Sequence, residues 1–287
     1  MATTLSNRAL LVNLQISQWT ARKLDRAETQ LLNQRHGLTV EAARVNKNLL
    51  PLATELERVH QITAFIRKDF AKRTLPWGLE GVNILKADAY VEFTGVVRQW
   101  QAEWHGAVDA FVAAYPTYRE EARLLLNGMF KDEDYPHPED LARRFAFNMR
   151  FMPMPDQQDW RVDIGDEALA TLKADLAKDI EKSMGEAMTT AWLRVYDVVS
   201  KAHERLSNPE NVFRDSLVDN AIELCALLPS LNVLDDPGME KARQAIERSL
   251  CAVKPDTLRD DLSVRAKVAG DMADILRKMS GAFPKAA

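Results

Sequence analysis

From Asp166 to Ser207 the chain runs 42 residues without a proline and with a single glycine, Gly185. Leu169, Leu172, Leu176, Ile180, Met184, Met188, Trp192, Val195 and Val199 recur through it at steps of three and four. That spacing is helical, each residue lying beside the next, and no breaker interrupts it. At 1.5 Å per residue such a helix is about 60 Å long, more than a compact domain of this size needs. Two consequences follow. The helix needs an antiparallel partner within the chain, and the segment from Ala87 to Leu126 is the natural choice, because Phe93, Val97, Trp100, Trp104, Val108, Phe111 and Tyr115 line one face of it. Part of the stripe, Met184, Met188 and Trp192 in particular, is then left to meet another surface, either a second copy or a different protein.

One stretch departs from helical spacing. In "RRFAFNMRFMPMPDQQDWRV", Arg143 to Val162, the residues Phe145, Phe147, Met149 and Phe151 recur every second position, the period of a strand. Pro153 and Pro155 end it, "DQQD" supplies turn residues, and Trp160, Val162 and Ile164 alternate again, so a β-hairpin is predicted. Two strands alone are marginal in water. "ALLVNLQIS", with Leu10, Val12, Leu14 and Ile16 on one side, supplies a third. The predicted fold is mainly α with a small antiparallel β-sheet: a long antiparallel helical hairpin or coiled coil, followed by helices over about Pro209–Leu228, Pro237–Val253 and Thr257–Met279. Residues 1–207 form the main body and 208–287 a helical region packed on it.

Elsewhere the punctuation is local. From Ala21 the pattern turns helical, Gly37 stops one helix, Thr39 caps the next, and Pro51 interrupts it. "TLPWGLEG" reads as a loop by its proline and two glycines. No internal repeat or low-complexity tract is present.

Apolar residues make up 46% of the 287, enough for a substantial core. The net charge of -4 is unevenly laid out, since residues 1–75 carry a balance of +6 and the remainder -10. A dipolar layout of that kind steers association. Arg22, Lys23 and Arg26, and then Arg67, Lys68, Lys72 and Arg73 with Trp77 nearby, are the clusters able to hold a phosphate backbone; Arg143 and Arg144 are a smaller third. The competing interpretation is an ordinary solvated helix face. Cys225 and Cys251, each beside leucine, read as buried free thiols. Arg8 precedes an apolar stretch, but Asn13 and Gln15 break it as a leader sequence. No run approaches the roughly 20 apolar residues of a membrane span, so a soluble cytosolic protein is expected.

The five histidines have no ligand-like spacing, and neither a phosphate-binding glycine loop nor a nucleophile elbow occurs. His137 in "DEDYPHPED", and Asp156 with Asp159 in "PDQQD", read as loop residues in preference to metal ligands. The sequence therefore points to no catalytic residue, cofactor or metal. An enzyme site assembled only in space stays open.

"ALLVNLQISQWTARKLD", "NKNLLP", "TLPWG" and "FMPMPDQQDWRV" together resemble an uncharacterised bacterial and phage family known as a domain of unknown function, over most of the chain. The resemblance implies a phage or mobile-element setting, often beside a MoxR-like AAA+ ATPase and a von Willebrand A-type protein. It implies no catalytic residues. The leading expectation is a non-enzymatic helical protein that self-associates, or an adaptor working with a protein such as an AAA+ ATPase. A DNA-associated accessory protein of replication, recombination or anti-defence is the alternative, followed by an enzyme and, last, a pore-former.

Overall fold

The structure is a computed structural model that describes residues 5–40, 42–155 and 166–279. In chain order its elements are β1 (Ala9–Ser17), β2 (Arg22–Leu24), α1 (Arg26–Arg35), β3 (Asn46–Asn48), α2 (Thr54–Arg73), β4 (Leu75–Pro76) and β5 (Val82–Lys86). Then come α3 (Tyr90–Leu126), α4 (Pro138–Leu141), β6 (Ala146–Pro153), α5 (Asp166–Ser207), α6 (Ser216–Leu231), α7 (Pro237–Ser249), α8 (Pro255–Asp260) and α9 (Leu262–Met279). The fold is mainly helical with a four-stranded sheet in the order β4-β5-β1-β6. The two strands marked by period-two alternation, β1 and β6, are neighbours in it as expected. The predicted strand at Trp160, Val162 and Ile164 lies outside the described residues.

Two short strands complete the sheet, one inside the segment expected to be a loop and one directly after it. β5 pairs antiparallel with β1, Leu11 opposite Ile84 and Asn13 opposite Val82, and β4 pairs with β5. The "TLPWGLEG" segment is thus a hairpin connection: Gly81 takes φ +72°, a backbone that side chains resist, and its carbonyl accepts from Asn13 Nδ2 at 2.6 Å. Hairpins this short carry too few residues to show a period. Residues after Ala21 likewise begin with a strand, since β2 pairs with β3 in a separate ribbon. Asp25 then caps α1, Gly37 at φ +62° ends it, and Thr39 caps no helix. Pro51 precedes α2 and does not interrupt it, a placement that avoids the lost backbone bond.

The chain divides into two compact units, each discontinuous in sequence: Met1–Asn13, Asp69–Thr94 and Arg150–Ala287 form one, and Leu14–Lys68 with Gly95–Met149 the other. A boundary at residue 207 is not observed. It would cut through the core of the first unit, where α5 packs against α6, α7 and α9 as well as β4. The long helix therefore finds its partners downstream in sequence. The helical hairpin predicted with α3 is not how α5 is covered, and most of α3 belongs to the second unit.

In the first unit Ala187, Ala191, Val195, Val199, Ala202 and Leu206 of α5 are buried with Leu228 of α6, Ile246 of α7 and Met272 of α9. The small alanines let neighbouring backbones approach. Arg265 closes the C-terminal end of α5: its guanidinium, 4% exposed, donates to the carbonyls of Arg205, Leu206, Asn208 and Asn211. The carbonyls of Arg205 and Leu206 are among those the last turn of a helix leaves unsatisfied, and those of Asn208 and Asn211 belong to the loop that follows.

In the second unit the aromatic face of α3 is buried as its spacing predicts. Trp104 donates its indole N–H to the buried Thr63 hydroxyl of α2 at 2.9 Å. Phe145 packs on Trp104 and Phe111, and Phe147 on Trp104. Tyr115 and Tyr135 each donate to a backbone carbonyl, and burial pushes both phenols up to about 12.

Candidate functional site

The two halves of α5 differ. From Ser183 to Trp192 each turn buries two adjacent positions, Ser183 with Met184, Ala187 with Met188 and Ala191 with Trp192, and from Val195 to Leu206 each turn buries one. From Asp166 to Lys182 no residue is buried. Yet Leu169, Leu172, Leu176 and Ile180 continue the apolar stripe along that half, with Leu172 39% exposed and the others half-buried. A wide buried face is the mark of packing into a globular core, and one large apolar residue per turn that of a narrow helix–helix seam. Leu176 and Ile180 also form one wall of a groove of about 290 Å³ whose other side is Trp77, Gly78, Leu79 and Pro155. Leu79 stands 62% exposed at its edge. At Gly78 an added Cβ would lie 2.5 Å from Ser183 Oγ, so any side chain there requires that hydroxyl to turn away.

Met184, Met188 and Trp192, the residues assigned to an interface by their place in the stripe, are 6%, 8% and 8% exposed and belong to the first unit's own core. Trp192 donates from Nε1 to Asp236 Oδ2 at 3.0 Å, and the other oxygen of Asp236 caps α7 by accepting from Gly238 N at 2.7 Å. The reason for the correction is the C-terminal helices. They cover the second half of α5 and stop short of the first, so the uncovered part of the stripe lies further towards the N-terminus than sequence reasoning placed it. The signal was present in the residue types: methionine, tryptophan and paired small residues mark the covered half, lone leucines among charges the other.

The basic residues do not gather into one cationic surface. Arg22 and Arg26 are exposed, but Lys23 bonds Asp134 at 2.5 Å. Asp134 is 2% exposed at its side chain and also holds the buried Lys47 at 2.6 Å. Burial by itself would push this carboxyl up; hydrogen bonds from Lys23 and Lys47 and their charges outweigh it and hold the group below the usual carboxylate range. Of the second cluster, Arg67 donates to the Ile16 carbonyl, Lys72 pairs with Glu223, and Arg73 with Asp69 and Glu92, while Lys68 is exposed. Arg67 and Lys68 fall in one unit, Lys72 and Arg73 in the other. Trp77 is buried. Among the described residues no group of three or more His, Cys, Asp or Glu side chains is placed to hold a metal ion. His137 lies 3.9 Å from Glu139 on the surface. No described helix is long and apolar enough to cross a membrane.

The fold and this surface define a helical protein with a helix seam left open. No family model, curated protein or solved structure matches the chain.

Proposed function

We propose that this chain is an assembly protein that self-associates through the first half of α5, pairing with the same segment of a second copy in antiparallel orientation. The carrying observation is the seam of Leu169, Leu172, Leu176 and Ile180 on a stretch with no buried residue. With the two-fold axis at the level of Ala174, Leu172 of one helix meets Leu176 of the other, so the seam is complementary to itself, as an isologous contact requires. The partner's Leu169 then falls beside Ile180, at the groove edged by Leu79.

Helices of this half are about 25 Å long, a short seam at 1.5 Å per residue, so the association is reversible and concentration-dependent. The family resemblance extends the proposal to its setting, an assembly or adaptor component of a phage or mobile element acting beside an AAA+ ATPase. The partnered state of the basic residues gives no specific support to a DNA-binding role.

Sedimentation velocity over a range reaching roughly tens of micromolar tests this directly. Wild type is expected to dimerise. Leu172→Glu with Leu176→Glu should be monomeric with unchanged circular dichroism, since neither position is buried. A wild-type monomer across the range overturns the proposal.

A further inference from the structure

A groove of about 580 Å³ opens in the second unit between α1 and the chain that folds back along it. That volume falls among those of small-molecule sites. Arg26, Gln30 and Gln34, four residues apart, line it from one face of α1 with a guanidinium and two amides. The returning chain is held antiparallel to the helix by two buried side chains of the floor. Asn33 Nδ2 donates to the Ala43 carbonyl at 2.9 Å, its Oδ1 accepts from Ala43 N at 3.2 Å, and Thr29 Oγ1 accepts from Val45 N at 2.9 Å. This register sets Arg44 between the levels of Asn33 and Thr29, towards Arg26, and leaves the exposed Leu38 and Val40 at the other end. One end of the groove is thus cationic and the other apolar, with amides between. No carboxylate is among the described residues that line it.

We propose that this groove binds an amphipathic organic anion of metabolite size, its carboxylate or phosphate on the guanidinium groups of Arg26 and Arg44 and its apolar body over Leu38 and Val40. A guanidinium presents its N–H donors as a planar fork that matches two oxygens of either head group. Gln30 and Gln34 offer donors and acceptors to polar atoms between the ends. Charge complementarity rules against a cationic ligand, and a bare inorganic anion would leave Leu38 and Val40 uncovered. Because the floor side chains are committed to the backbone, the wall is already in place before a ligand arrives. The groove belongs to the second unit and the α5 seam to the first, so this assignment stands independently of the assembly proposal.

The probe is anilinonaphthalenesulfonate, an anion on an apolar aromatic body, compared with phenylnaphthylamine, which has the same rings and no sulfonate. Fluorescence titration of the full chain should show a single saturable site for the sulfonate and weaker binding of the uncharged dye. Arg26→Gln should weaken the sulfonate about tenfold, the loss of one charge-assisted contact, and leave the uncharged dye as it was. Val40→Glu should weaken both. Arg26 and Val40 are exposed, so circular dichroism should not change in either variant.

Octanoate and octyl phosphate, added as competitors, tell the head group apart: the one that displaces the dye at lower concentration carries the preferred anion. Leu172→Glu with Leu176→Glu, which removes the α5 seam, should leave the sulfonate affinity unchanged. Any one of five results overturns the assignment: no saturable binding to wild type, wild-type affinity in Arg26→Gln, equal affinity for the two dyes, displacement by neither competitor, or loss of the site in the seam variant.

Discussion

Trp192 separates two readings of the long helix. As an interface residue its loss would weaken assembly and spare the fold; as the structure has it, its loss empties part of the first unit's core. The indole is 8% exposed, and a Cβ added at Gly238 would lie 3.5 Å from its ring, so the start of α7 rests directly on it. A tryptophan side chain buries about 200 Å², which at about 25 cal/mol per Å² is about 5 kcal/mol of transfer free energy. Trp192→Ala retains the methyl and allows partial collapse, bringing the expected loss to about 4 kcal/mol, within the measured span for such truncations. Trp192→Phe keeps most of the ring and loses the bond to Asp236, about 1 kcal/mol. Urea unfolding followed by far-ultraviolet circular dichroism measures both, with sedimentation run beside it. If Trp192→Ala unfolds within about 0.5 kcal/mol of wild type, the range of ordinary surface substitutions, the side chain is not in the core and the packing argument for α5 fails.

Arg265→Ala removes three N–H donors from four carbonyls at the end of α5 and should cost about 3 kcal/mol by urea unfolding, after allowing for water reaching the more exposed carbonyls. Arg265→Lys should not rescue it, because one ammonium cannot span them. Asp134→Asn leaves the buried Lys47 with the Met129 carbonyl but without its counter-charge and should cost about 3 kcal/mol at neutral pH. Because the Asp134 carboxyl is held below its unfolded value, its contribution is complete above the ordinary aspartate range and lost as pH falls through the folded value; a urea-midpoint series from pH 7 downward should show an acid loss that Asp134→Asn reduces. Phe147→Asp should lower the melting temperature measurably, since Phe147 is half-buried against Trp104.

Periodicity alone determined the elements whose residues repeat long enough to carry it. The α5 helix, the buried aromatic face of α3, and the pairing of β1 with β6 were all legible, because a period of 3.6 or 2 fixes which side chains share a face whatever lies opposite. Strands of two to five residues, β2 to β5, were not, since their backbone is held by partners distant in sequence and too few side chains alternate to announce them. Nor could sequence say which part of a continuous stripe is covered. Leu169 and Ala187, 18 residues and so five turns apart, share one side of the helix, and their different burial depends on which part of α5 meets α6, α7 and α9. The same holds for Lys23 and Asp134: each residue's chemistry is written in the chain, but its partner is chosen by tertiary packing, because the forces that fix a carboxylate act across a few ångströms of space and not along the backbone.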